Sequence, residues 1–299
     1  MNLKNKKILS LCGGGVKGLA HLSALKVLEE NEVLQNIEIY AGTSIGAIIV
    51  ALVIVGYSIQ ELYDFTIALD LKKLFNIDDF STLISNYGFD KGTRIDYIIK
   101  NLLMQKGLKP DITLFELYEK TGKHLVITAT NLNTGKGEYL DYITEPNMPL
   151  KLAMRISSCV PILCVPIQYN DSLYVDGGCT IPIPLDIFKN RIDEVLAIDF
   201  ITPNKNVTIN NLEDYISTVF KTFYNNMTSN NSKFNIIKIE IDIVFVDFTI
   251  DAEKKKNIYD TSYKKALGVF GFANKLPVDN AHETESKIEK ENNNNTNNK

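Results

Sequence analysis

Residues 37–57 read IEIYAGTSIGAIIVALVIVGY, and this stretch decides the fold class. Ile37 to Ala41 has the length and apolar content of a short buried strand. The turn GTSIG at 42–46 follows, with glycine at both ends. From Ile45 to Tyr57 the chain carries no charge for thirteen residues. That is too long for a typical strand and short of the roughly eighteen apolar residues that span a bilayer. A helix apolar on every side belongs inside a protein core. Ile48, Ile49, Ala51, Leu52, Val53 and Val55 are therefore expected to be buried.

Working outward, residues 7–11 form another short apolar run, GGGVKG occupies 13–18, and residues 16–31 repeat apolar side chains at helical spacing (Leu19, Leu22, Leu25, Leu28). Strand, loop, helix, strand, turn, helix is the alternation of an α/β fold. It predicts a central, mostly parallel sheet flanked by helices on both faces, a three-layer α/β/α arrangement. Downstream, residues 58–110 read as helical with a break at 85–93. Strands are expected at 124–131, 194–200 and 236–248, and in LYVD ending at Asp176; residues 138–142 are expected to form a hairpin with the first of these. Further helices are expected at 149–158, 212–228 and 251–269. Residues 1–274 read as a single domain. Residues 275–299 end in NNNNTNNK and read as a disordered, asparagine-rich tail.

Composition narrows the function classes. The chain has 299 residues, 45% of them hydrophobic, and a net charge of −4 with no long basic block, so nucleic acid is not an expected partner. The lysine-flanked start is followed by only five apolar residues, 8–12, too few for a signal peptide. Cys12, Cys159, Cys164 and Cys179 fall in no C-x-x-C or Cys/His pattern, which implies reduced, packed thiols, no metal centre and a cytoplasmic setting.

Three motifs carry chemistry. In Gly13-Gly14-Gly15-Val16-Lys17-Gly18, nearly bare backbone opens a helix, which suits an anion. The run satisfies the dinucleotide pattern G-x-G-x-x-G, with Glu38 twenty residues past Gly18, although Glu38 lies inside its strand rather than at the carboxyl end where a ribose partner belongs. A P-loop is excluded because Gly18, not serine or threonine, follows Lys17. The remaining possibility is an oxyanion hole. Next, Gly42-Thr43-Ser44-Ile45-Gly46 satisfies G-x-S-x-G between a strand and a helix, the setting of a nucleophile elbow, with Ile45 N–H as a further anion donor. The alternative for Ser44 is an ordinary helix N-cap.

A serine nucleophile needs a base. The chain has three histidines, His21, His124 and His282. A hydrolase triad wants a late histidine, and only His282, in the tail, is late. All three read as surface or satisfied core residues. Asp176, at the end of an apolar strand and followed by Gly177 and Gly178, is the better candidate; the alternative there is a plain D-G turn.

GGGVKG, GTSIG and DGG in this order resemble the patatin-like phospholipase family. The likeness extends to ITLFELYEKTGKHLVITATNLNTG at 112–135 and MRISSCVPILCVPI at 154–167, and so covers residues 7–200. The resemblance implies a patatin-type fold and a Ser–Asp dyad with no histidine, metal or cofactor. It also implies hydrolysis of acyl esters in phospholipids or related lipids through an acyl-serine intermediate. On this basis Ser44 is the nucleophile and Asp176 its base. Gly14 and Gly15 would supply oxyanion N–H groups, with Gly13, Val16, Lys17 and Gly18 around them. Lys17 stands where many members have arginine, and it offers a point charge rather than a fork. After DGG, Cys179-Thr180-Ile181-Pro182 keeps the family's proline and lacks its asparagine. Acyl transfer to another alcohol would use the same dyad. The expected partners are the acyl-ester lipid and a membrane surface met peripherally, with residues 58–93 bordering the site mouth. The head group and any protein activator stay open.

Overall fold

The computed structural model describes residues 2–75, 80–201, 208–228, 233–241 and 250–273. The tail expected at 275–299, His282, and the outer part of the strand expected at 236–248 lie outside the described residues. In chain order the strands are β1 (Ile8–Leu11), β2 (Ile39–Gly42), β3 (Gly88–Asp90), β4 (His124–Asn131), β5 (Lys136–Leu140), β6 (Ile162–Cys164), β7 (Ile167–Tyr169), β8 (Ser172–Asp176), β9 (Val195–Ile201) and β10 (Ile236–Glu240). The helices are α1 (Gly18–Glu30), α2 (Ile45–Val55), α3 (Ile59–Ala68), α4 (Phe80–Asn86), α5 (Thr93–Gln105), α6 (Leu114–Thr121), α7 (Leu150–Ser157), α8 (Leu212–Thr228) and α9 (Ala252–Phe270).

The main sheet runs β10-β9-β1-β2-β4-β8-β7, with β5 also on β4. From β10 to β4 every pairing is parallel; β5, β8 and β7 are antiparallel additions. Helices cover both faces: α1, α3 and α9 pack together, and α2, α5, α6 and α7 form a second group. The fold is the mixed, mostly parallel α/β sheet expected from the sequence. Inner strands covered on both faces are continuously apolar; β1 is buried along its whole length. Half-covered β10 alternates, with Ile237 and Ile239 inside and Lys238 and Glu240 outside.

The apolar run after Ser44 forms α2 and ends where Gly56 adopts the left-handed conformation. Ile49, Ala51, Leu52 and Val55 are buried as expected. Ile48 and Val53 are corrections: they pack on the core but stay partly exposed. A helix resting on a sheet always turns some of its circumference outward, and those two positions lie there.

Two features differ from the sequence reading. The break expected at 85–93 contains β3, which pairs in parallel with β6 in a separate two-stranded sheet, Gly88 opposite Ile162. A three-residue strand whose partner lies more than seventy positions away leaves no periodic trace. The second is the direction of β8. It runs antiparallel to β4, with Ala129 opposite Asp176, whereas β2 runs parallel to β4, with Ile127 opposite Gly42. Because β5 occupies the other flank of β4 along residues 127–131, β2 and β8 must share one flank. They meet there end to end, β2 climbing and β8 descending, two β4 residues apart. Among the described residues no helix is long and apolar enough to cross a membrane.

Gly46 lets α2 start directly against β1. A Cβ on it would stand 2.6 Å from the Cys12 carbonyl oxygen and 2.8 Å from that of Leu11, both backbone. Gly46→Ala should therefore destabilise by about 1–3 kcal/mol, the usual cost of overpacking, read as a lower thermal midpoint. Gly268→Ala, at a helical position with open space around it, should raise the midpoint slightly.

Candidate active site

Ser44 occupies the N-cap position of α2 with φ 56 and ψ −123, and its side chain makes no capping bond. The left-handed region is costly for a residue with a Cβ and persists only where the surroundings enforce it. Here the Ser44 N–H donates to Ser157 Oγ at 2.9 Å, and Gly46 N–H donates to the Thr43 carbonyl at 2.8 Å. The Thr43 hydroxyl donates to the Ile181 carbonyl and accepts from Thr128, both at 2.8 Å. The freed Ser44 hydroxyl donates to Asp176 Oδ2 at 2.6 Å. An N-cap role thus does not describe this serine.

Asp176 is held at every polar atom. Its N–H donates to the Cys159 carbonyl at 2.8 Å, and its carbonyl accepts from the Thr130 hydroxyl at 2.9 Å. Oδ1 accepts from Gly178 N–H at 2.7 Å, leaving Oδ2 to Ser44. The residue is only 3% exposed. Burial pushes its pKa from 3.8 up to about 7, against the opposing hydrogen bonds of Ser44 and Gly178. A carboxyl group with that pKa, 2.6 Å from a hydroxyl, has the proton affinity and the position to accept the serine proton near neutrality.

Of the six residues in the glycine-rich loop, three have their N–H groups engaged. Gly13 donates to the Pro182 carbonyl at 3.0 Å, Lys17 donates to that of Gly14 at 3.1 Å, and Gly18 closes the 3-10 turn Gly15–Lys17. Within the described residues no hydrogen bond takes the N–H of Gly14 or Gly15. The donors available to an oxyanion therefore narrow to these two, with Val16 beside them and Ile45 at the start of α2. Gly15 has φ 56, so its position in the loop favours a residue without a side chain. Glu38 sits at the far end of β2 and pairs with Lys7 at 2.7 Å, which removes the acidic partner that a dinucleotide would need beside the loop.

No described histidine hydrogen-bonds to Ser44. His124 binds Asp141 at 2.9 Å, at the amino end of β4. His21 is fully buried; Nε2 donates to the Cys12 carbonyl at 2.9 Å, Nδ1 has no partner, and burial lowers its pKa to about 3. It is a core residue, one of the two expected readings, with one ring nitrogen bonded and the other unpartnered. Ser157, Thr128 and Thr130 went unnoticed in the sequence. Each acts by a long-range side-chain bond, and the only hint was that they sit inside the two longer stretches shared with the family.

The family model for patatin-like phospholipases matches residues 9–189. An uncharacterized protein of Acanthamoeba polyphaga mimivirus is 29% identical over 275 residues, 86% of this chain and 91% of that protein. A protein of Invertebrate iridescent virus 6 named "Probable lipid hydrolase" is 30% identical over 209 residues, 65% of this chain and 70% of its own length. Among solved structures, VipD from Legionella pneumophila superposes with a TM-score of 0.59 at 17% identity, over 89% of this chain and 67% of that one, a likeness of fold.

The high pKa of Asp176 has a consequence for stability. With a folded value near 7 and an unfolded one near 3.8, its contribution is fully present below pH 4 and is lost as pH rises to about 7. The loss is on the order of 4 kcal/mol. Asp176→Asn carries no such cost. Its stability relative to the wild type, measured by urea unfolding, should grow from pH 4 to pH 7 and then level off. A constant difference across that range would mean that the carboxyl group is not desolvated.

Proposed function

This chain belongs to the patatin-like phospholipase family, and from that premise we propose that it is a lipid acyl hydrolase that cleaves carboxylic esters of phospholipids or related lipids. The observation that carries the proposal is the 2.6 Å hydrogen bond from Ser44 Oγ to a buried Asp176 whose pKa lies near 7. The name of the viral relative, a lipid hydrolase, supports the substrate class.

In the proposed reaction Ser44 Oγ attacks the ester carbonyl carbon while Asp176 Oδ2 takes the hydroxyl proton. The carbonyl oxygen becomes an oxyanion, held by the N–H groups of Gly14 and Gly15 and assisted by the amino end of α2 at Ile45. The tetrahedral intermediate collapses, the C–O bond to the leaving alcohol breaks, and Asp176 returns the proton to that alcohol. Water then gives its proton to Asp176 as its oxygen attacks the acyl-Ser44 carbonyl. Collapse returns the proton to Ser44 and releases the fatty acid. The same carboxyl group acts as base and acid in both halves, so neither histidine nor metal is required.

The proposed domain is residues 1–274. An apolar rim supports peripheral membrane contact: Ile84 is 81% exposed and Tyr87 69%, and β3–β6 pairing sets Ile162 beside them. Phe75, from the same segment, packs against the cluster of Cys159, Leu163, Cys164 and Ile216, and the Cys159 carbonyl accepts from the Asp176 N–H. That packing supports a place for the segment near the site.

The test is a phospholipid and acylglycerol panel with free fatty acid read by mass spectrometry. Ser44→Ala and Asp176→Asn should each lose roughly a thousandfold or more. His124→Gln should stay within a few-fold, and a loss matching Ser44→Ala in a folded His124→Gln protein would replace the dyad with a histidine mechanism. Because the base must be deprotonated, kcat/KM should rise with pH through about 7. Ile84→Ser with Tyr87→Ser should weaken binding to phosphatidylcholine vesicles and leave hydrolysis of a short soluble ester unchanged.

A further inference from the structure

The helix end that holds Ser44 and Asp176 is itself held by one arginine. α7 supplies Ser157, whose Oγ accepts the Ser44 N–H at 2.9 Å, and the chain just past it supplies the Cys159 carbonyl, which accepts the Asp176 N–H at 2.8 Å. Residues 88–96 grip this stretch on both sides. Downstream of it, β6 pairs with β3, and Val165 N–H donates to the Asp90 carbonyl at 2.9 Å. Upstream, the grip is the Arg155 side chain. Its Nε lies 3.0 Å from Asp96 Oδ1, and its Nη2 donates to the Lys91 carbonyl at 3.2 Å. Arg155 is 3% exposed, and its Nη1 has no hydrogen-bond partner among the described residues. The guanidinium occupies space that Gly92 leaves open: a Cβ there would stand 1.7 Å from Nη2. The turn it grips is tied internally, with Gly92 N–H on Asp90 Oδ1 and Asp96 N–H on the Gly92 carbonyl.

We propose that Arg155 is a positioning residue for the dyad: it ties the turn between β3 and α5 to the end of α7 and so sets where Ser157 and Cys159 hold the backbones of Ser44 and Asp176. The proposal rests on the Ser44–Asp176 chemistry above. Successive helical residues turn by about 100°, so Arg155 and Ser157 point nearly opposite ways. One faces the turn and the other the nucleophile elbow, with a single turn of hydrogen-bonded helix between them. A buried ion pair is a poor source of stability, because packed apolar side chains of similar volume do as well or better. An unmatched buried N–H such as Nη1 is a further cost. Stability therefore does not account for an arginine here. What the guanidinium fork gives is geometry, two contacts at a fixed spacing. The turn follows β3, and β3 follows Tyr87, so the segment that carries the apolar rim is joined to both members of the dyad. Arg155 itself touches none of the reacting atoms.

The experiment uses the full chain, a soluble p-nitrophenyl ester, phosphatidylcholine in mixed micelles and a fluorophosphonate probe for Ser44, all well below the thermal midpoint of each variant. Arg155→Met keeps an unbranched apolar stem, and it leaves no buried charge unpaired because the Asp96 side chain is 43% exposed. It should lower kcat for both substrates and the labelling rate by roughly tenfold or more, with KM within a few-fold. Arg155→Lys keeps the charge but reaches only one of the two acceptors. It should lose less, and it carries the test if Arg155→Met fails to fold. Gly92→Ala puts a methyl group against Nη2 and should push the guanidinium off its contacts. It should lower kcat in the wild type and add little in Arg155→Met, because both changes act through the same contact.

Wild-type kcat and labelling in folded Arg155→Met, or in Arg155→Lys where only that variant folds, would overturn the proposal. So would a rise in KM confined to the phospholipid, which would assign Arg155 to the lipid rather than to the dyad. A Gly92→Ala loss that persists in full in Arg155→Met would do the same. Ser44→Ala separates the two layers: normal labelling of that variant would remove the hydrolase chemistry itself, whereas an unlabelled Ser44→Ala beside a fully active Arg155→Met would remove only the role of Arg155.

Discussion

The site depends on keeping one carboxylate dry next to one hydroxyl. In water an aspartate is too weak a base to activate a serine, because its ordinary pKa is near 4. Burial changes that by penalising the charged form, and Asp176 rises to about 7. Dryness alone would simply leave the group protonated. The Gly178 N–H on Oδ1 and the Ser44 hydroxyl on Oδ2 pull the other way and keep the ionised form within reach at neutral pH. The proton affinity of Asp176 is therefore set by a balance of desolvation against two short hydrogen bonds.

That balance needs accurate placement, and the sheet provides it. β4 acts as a common rail: β2 delivers Ser44 from one direction and β8 delivers Asp176 from the other, both on the same flank. Paired backbone fixes each end to within the tolerance of a hydrogen bond, which loops of this length would not do alone. The remaining adjustments are small polar contacts. Ser157 holds the strained Ser44 backbone, and the Thr128 and Thr43 hydroxyls tie β4 through the elbow to Ile181. Strain at Ser44 is the cost of aiming its hydroxyl away from the capping position and toward Asp176.

Much of this was legible in the sequence because it is local. GGGVKG, GTSIG and DGG each encode backbone that only small residues permit, and the alternation of apolar runs with helical periodicity gave the parallel sheet. The long apolar run at α2 announced its own burial. What was not legible is what depends on partners far along the chain. The direction of β8 is invisible in LYVD, since a short apolar strand reads the same either way. β3 is three residues whose only support is β6. Whether His21 lay on the surface or in the core was open, because nothing near it in sequence predicts that its ring reaches the Cys12 carbonyl.

A histidine in a serine triad already has a pKa near neutrality, so it can work while partly wet. A carboxylate base cannot, and its environment must supply the whole adjustment. The same burial that makes Asp176 basic makes it a liability to folding above neutral pH, so stability must come from elsewhere. The core of α2, β1 and β9 is where that surplus lies: most of their side chains are buried, each large buried one contributing roughly 1.5–3 kcal/mol on leaving water. Two of these elements also border the site, with α2 beginning at Ser44 and β1 leading into the glycine loop, and β9 pairs with β1. The apolar packing next to the site thus offsets what the strain at Ser44 and the desolvation of Asp176 take away.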